Sequence, residues 1–301
     1  MSARGPREAL EGSPERSAGP PSAGSNAALE GSPAPSAGPP SAGSNAALEG
    51  SPERERGTAE RGHYSYAVYA DPGMAERFDA MRFGGPIGTL IAESQERVLV
   101  DFLGDVRGRS ILDVGTGTGR AALALATRGA AVRGLDASSE MLAVARRRAD
   151  SAGLDVEFTT GDAHALPLAD RSVDAAVSLR VLMHTPGWGR CVAELCRVAR
   201  HQVIVDFPAA ASAAWLQSAA RTWRLARHRE AYRVFTLGTM RQAFAANGFA
   251  ITRVHRQFVL PIALHKAIGS RAFTRVVEGA FAALGLLRLF GSPVTVLAER
   301  E

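Results

Sequence analysis

Apolar and polar positions along this chain follow two alternating periods. Short apolar-rich runs recur at 110–115, 131–136, 155–160, 173–179 and 202–207. Interleaved with them, at 118–129, 138–152 and 187–199, apolar residues fall three and four apart. Runs of that length bounded by turn residues predict buried strands, and the wider spacing predicts helices. Strands and helices in this alternation predict a parallel sheet covered on both faces. Further on, 211–229 and 237–246 predict helices, the second stopped by Asn247-Gly248. Late strands are predicted at 249–258 and 293–298, with a helical insertion over 261–290 between them. Upstream, Leu90, Ile91, Val98, Leu99, Phe102 and Leu103 keep a mostly helical spacing, so 61–105 is read as a helical N-terminal lid. Ser138 and Glu140 predict a capped helix start, and Arg146 to Arg148 are placed near that helix's end, where basic charge suits the dipole.

Residues 1–60 break this pattern. The segment Glu11 to Leu29 recurs as Glu30 to Leu48, differing only at Glu15-Arg16 against Ala34-Pro35, and a third copy begins at Glu49. So few large apolar residues cannot build a stacked core, and the Pro, Gly and Ser content predicts a flexible, disordered tail with a 19-residue repeat. Two domains are therefore expected, the tail at 1–60 and a folded body at 61–301.

Charge changes this picture little. The net charge of +5 invites a nucleic-acid reading, but 34 of the 35 basic residues are Arg and Lys266 is the one Lys. That bias fits the composition of a GC-rich genome better than selection for phosphate contacts, so a nucleic-acid partner is disfavoured. The basic, aromatic stretch holding Trp215, Arg221, Trp223, Arg224 and Arg233 reads chiefly as a solvated helix face. Cys191 and Cys196 have neither a disulfide nor a zinc spacing, which predicts a reducing, cytoplasmic setting and no metal. No apolar run follows Met1, so no secretory signal is expected. The apolar stretch Gly279 to Leu287 is too short to span a bilayer.

The chemistry concentrates at Ile111-Leu-Asp-Val-Gly-Thr-Gly-Thr-Gly-Arg120. An apolar strand breaks there into a turn with no side chains at Gly115, Gly117 and Gly119, and a helix follows. Such a turn lets a nucleotide-like ligand approach bare backbone near a helix N-terminus. A dinucleotide fingerprint requires G-x-G-x-x-G, whereas this turn is G-x-G-x-G. Three acids stand at or near strand ends. Asp113 sits where it can accept from a ligand ammonium. Asp136 can accept both hydroxyls of a ribose, or cap the helix that starts at Ser138. Asp162, in Gly161-Asp-Ala-His-Ala-Leu-Pro167, can face an adenine amino group.

With four ordered motifs (Leu112 to Gly119, Gly134 to Ser138, Gly161 to Pro167, Val173 to Leu179), the chain resembles the class I S-adenosylmethionine-dependent methyltransferases over about residues 75–260. Its closest look is to the small-molecule branch that includes the quinone-biosynthesis C-methyltransferases. The resemblance implies an α/β, Rossmann-like three-layer sandwich with a mostly parallel seven-stranded sheet in the order 3-2-1-4-5-7-6. It implies S-adenosyl-L-methionine contacts at Asp113, Gly115, Thr116, Gly117, Gly119, Asp136, Ala137, Met141, Asp162, Ala163, Leu179 and Arg180.

Methyl transfer needs alignment more than acid–base chemistry. A base is required only when the nucleophile must lose a proton, and His184 is the candidate, the alternative being a packing residue at a helix entry. The segment after strand four lacks the Asn/Asp-Pro-Pro-Tyr pattern of amino-group methylation, which favours oxygen or carbon of a small, apolar or lipid-like acceptor. Two rival readings are an NAD(P)-dependent oxidoreductase and a cofactor-binding module without turnover. The first is disfavoured by the turn spacing and by the lack of a Tyr-x-x-x-Lys pair.

Overall fold

A computed structural model describes residues 72–212 and 233–301. The predicted tail, the boundary at 60/61 and the helix expected at 211–229 lie outside the described residues, apart from the turn through Ser212. Two helices open the described chain, α1 (Pro72–Phe83) and α2 (Gly85–Leu103). There follow β1 (Ser110–Val114), α3 (Arg120–Ala126), β2 (Ala131–Asp136), α4 (Ser139–Ala152), β3 (Val156–Thr160) and β4 (Val173–Ser178). A 3-10 turn (Leu182–His184) then leads to α5 (Trp188–Val198) and β5 (Ala199–Phe207). The remainder is α6 (Leu237–Ala245), β6 (Phe249–Phe258), α7 (Ile262–Ile268), α8 (Arg271–Ala283), α9 (Leu286–Phe290) and β7 (Ser292–Arg300).

The strands form one seven-stranded sheet in the order β3-β2-β1-β4-β5-β7-β6. Pairing is parallel from β3 through β5, and β7 runs antiparallel to both β5 and β6. The expected order is therefore the observed one. Side chains alternate across the sheet. Leu112, Val114, Val203, Val205 and Phe207 join α5 and α6 on one face. Ile111, Ala175, Val177 and Ile204 join α2, α3 and α4 on the other. Burial on both faces explains why the strands read as nearly continuous apolar runs.

Ser138 caps α4 as expected, its hydroxyl accepting from the Met141 N–H at 3.0 Å. The basic cluster behaves differently from its dipole reading. α4 runs on to Ala152 and has no basic residue in its last turn. Arg147 and Arg148 instead pair with Glu76 and Asp79 of α1, and Arg146 donates to the Phe158 carbonyl at 2.7 Å. Arg147 and Arg148 thus fasten α1 to the sheet domain, and Arg146 ties α4 to β3. Among the described residues no helix is long and apolar enough to cross a membrane.

Candidate functional site

A cavity of about 220 Å³ opens at the C-terminal ends of β1, β2 and β4, the end of a parallel sheet where ligands characteristically bind. The glycine turn forms its floor. Gly115 has φ +72 and Gly117 φ +55, left-handed values that suit a residue without Cβ. A Cβ on Gly115 would lie 2.2 Å from Cγ2 of Val181, so the backbone there runs hard against the wall of the cavity.

Asp113 is buried beneath this turn and accepts the Thr116 hydroxyl at 2.7 Å. Burial pushes its carboxyl up to about 6, against the hydrogen bond from Thr116. Asp136 ends β2 and ties the two edges of the cavity together. Its Oδ2 accepts the Gly117 N–H at 2.8 Å and its Oδ1 the Ser138 N–H at 2.9 Å. Burial raises this carboxyl too, and the backbone donors oppose the rise. A carboxylate accepts about four hydrogen bonds. Backbone N–H groups of Gly117, Ser138 and Ala137 act on it here, and Asp136 lines the cavity.

Of the other expected site residues, Thr116, Ala137, Met141, Ala163, Leu179, Arg180 and His184 line the cavity with Asp113, Gly115, Gly117 and Asp136. Gly119 and Asp162 lie outside this lining. Gly119, at φ +81, serves helix packing, since a Cβ there would meet Ala145 Cβ at 3.0 Å. Asp162 is turned onto its neighbour His164, accepting the backbone N–H at 2.9 Å and standing 2.7 Å from Nδ1. The hydrogen bond from the His164 side chain chiefly lowers the Asp162 pKa. His164, in the loop after β3, is buried and lines the cavity itself.

Further residues border the cavity. Phe78 and Phe83 of α1 and Gln95 and Leu99 of α2 wall the opening. Arg120 lies over the Phe83 ring, 3.6 Å from its centroid, and burial depresses its pKa. Asp206 of β5 is buried and accepts the backbone N–H of Arg180, with the Gln95 amide 3.5 Å from its other oxygen. Arg180 has φ +65, a conformation costly for a residue with Cβ, so Asp206 holds a strained turn at the cavity edge. Asp206→Ala is expected to cost about 1–3 kcal/mol in a denaturant titration, because it leaves the part-buried Arg180 N–H without its acceptor. Asp206→Asn keeps an acceptor oxygen and should be milder.

The sheet order, the bare turn and the carboxylates at strand ends define a Rossmann-like, class I methyltransferase fold. Residues 111–202 match the family described as a methyltransferase domain. Over 117 residues it is 38% identical to the demethylmenaquinone methyltransferase of Thermus thermophilus, covering 37% of this chain and 53% of that protein. Over 116 residues it is 39% identical to methyltransferase GfsG of Streptomyces halstedii, covering 36% of this chain and 42% of that protein. The chain thus spans about half the length of these curated relatives. Among solved structures, magnesium protoporphyrin IX methyltransferase from Synechocystis PCC 6803, with bound S-adenosylhomocysteine, superposes with a TM-score of 0.58 at 18% identity. That match covers 79% of this chain and 98% of the other, and it is a likeness of fold.

Proposed function

We propose that this protein transfers a methyl group from S-adenosylmethionine to an oxygen or carbon of a small-molecule acceptor by in-line displacement. The observation that carries the reading is the pairing of Asp136 with the bare glycine turn, an arrangement that suits a ribose beside an approaching ligand backbone. The donor and acceptor set fits the cofactor. Asp136 offers acceptors to two ribose hydroxyls, Asp113 offers an acceptor to the ammonium, and Met141 and Ala163 flank the space for the adenine. Asp162 and Gly119 support the site by shaping its loops. When bound, the cofactor supplies a methyl carbon already activated by the adjacent sulfonium.

The chain's own residues then align and shield the acceptor. Phe78, Phe83 and Leu99 offer an apolar wall, which supports an apolar or lipid-like acceptor. Leu179 and Arg180 border the reacting centre. His184 would take the proton of an acceptor hydroxyl or acidic carbon when the acceptor is methylated. His184→Gln is expected to lower kcat by about a hundredfold while leaving S-adenosylhomocysteine affinity within a factor of about two. A loss of affinity instead would make His184 a packing residue. Cys191 and Cys196 are buried free thiols, both pushed up to about 12 by burial, which leaves them poor nucleophiles.

Titrating the full chain with S-adenosylhomocysteine in a calorimeter, with NAD and NADP as controls, tests the cofactor. A preference for a dinucleotide would overturn the proposal. The same titration carries a pH signature. Asp113 holds its proton more tightly in the folded, ligand-free chain than the ordinary value of 3.8 allows. Its ionisation therefore costs the free protein stability as pH rises from about 4 to 6, by roughly 3 kcal/mol. A ligand ammonium requires the carboxylate. Affinity should climb by up to about tenfold per pH unit below pH ~6 and level off above it.

A further inference from the structure

The insertion formed by α7, α8 and α9 is built with its polarity reversed. Its buried positions are polar. Glu278 accepts the Val259 and Leu260 backbone N–H groups at 2.7 and 3.0 Å and stands 2.8 Å from His265 Nε2. Thr274 Oγ1 lies 3.0 Å from the other ring nitrogen. This network uses the one acid between 261 and 290 to fasten the insertion to the end of β6.

The outward positions are apolar. Among the described residues nine large apolar side chains are exposed, and seven of them lie on the insertion. Val276 and Leu284 are 72% exposed and Leu289 61%, with Leu264, Ile268 and Phe290 each at 43%. A helix solvated by water ordinarily turns charge outward, so a concentration of large apolar groups marks an interaction face. The only charged side chains exposed on the insertion are basic: Lys266, Arg275 and Arg288.

We infer that this face docks on an anionic lipid bilayer, with the apolar side chains entering the interface and Arg275 and Arg288 meeting lipid phosphates. Charge decides between a bilayer and a second copy of the chain. A two-fold contact would set the same basic patch against itself without an exposed acid of the insertion to pair it. A surface of anionic headgroups complements it, and a basic, apolar-faced helix is the sequence form that lies in a membrane interface. The face also adjoins the cavity. Lys266 donates to the Met81 and Arg82 carbonyls at the end of α1, beside Phe83 of the cavity wall. Docking would bring that wall close to the membrane, where an apolar acceptor partitions. The docking inference itself does not depend on the methyl-transfer reading.

Sedimentation of the full chain with vesicles tests the inference. Binding is expected to vesicles of phosphatidylcholine mixed with phosphatidylglycerol, weakening with salt, and to be at least about tenfold lower for phosphatidylcholine alone. Val276→Glu with Leu284→Glu should lower the binding about tenfold or more while leaving the melting transition in place, since both side chains face outward. Arg275→Glu with Arg288→Glu should remove the preference for the anionic lipid. No sedimentation of the unaltered chain with the mixed vesicles would overturn the inference. So would binding that survives Val276→Glu with Leu284→Glu, or a dimer in analytical ultracentrifugation that those substitutions dissolve without any vesicle binding.

Discussion

Asp136→Ala is expected to weaken S-adenosylhomocysteine binding by at least about a hundredfold. A hydrogen bond to a charged group is worth about 1.5–3 kcal/mol, so two ribose hydroxyls losing a carboxylate lose about 3–6 kcal/mol. The substitution also frees the Gly117 and Ser138 N–H groups, which the carboxylate holds at 2.8 and 2.9 Å. The turn and the start of α4 then lose their common anchor, and part of the loss comes from a site no longer preorganised. Asp136→Asn sharpens the test. Both carboxylate oxygens accept backbone N–H groups, so an amide must aim its NH2 at one of those donors. Asn should therefore fail nearly as badly as Ala despite its matching shape. Calorimetry beside a thermal melt separates the two contributions. An Asn variant that binds normally would show that neither the paired backbone contacts nor a full carboxylate toward the ribose carries the affinity.

Much of this site is legible along the chain because its parts are local. Strand, glycine turn and helix follow one another between Ile111 and Ala126, and Asp136 is recognisable as the last residue of an apolar strand. Sheet order followed from the same motifs through the resemblance they carry. What escaped was whatever depends on a distant partner. Asp206 reads as one polar residue in Val203-Ile-Val-Asp-Phe207, and its role appears only when β5 is laid beside β4 and Arg180 bends into a left-handed turn. Arg147 and Arg148 satisfied a local rule about helix ends, yet α4 extends beyond them and α1 supplies their acids. Asp162 carries a local partner that its motif does not show: His164, two residues on, engages its Oδ1. The reversed polarity of the insertion was equally hidden, since a helical apolar pattern has the same periodicity whichever face turns inward.

The second large effect belongs to Gly115, where two penalties can be separated. Gly115→Ala places a Cβ at a backbone φ of +72, which costs about 1–2 kcal/mol by itself. The same Cβ would stand 2.2 Å from Val181 Cγ2, and relieving such an overlap in a packed site adds about 1–3 kcal/mol. Gly115→Ala should therefore destabilise the protein by about 2–5 kcal/mol in a denaturant titration, with ligand affinity falling as the turn shifts into the cavity. Val181→Ala removes the clashing methyl groups at a modest cost of its own, because Val181 is only half-buried. In the double variant the steric part should vanish while the backbone part remains. The two substitutions are then less damaging together than their sum, by about 1–3 kcal/mol. Strict additivity would mean that Val181 moves aside freely and that the left-handed backbone alone demands glycine. The sign of that coupling decides whether the wall of the cavity is rigid, and a rigid wall is what lets a glycine turn hold a ligand in line with its acceptor.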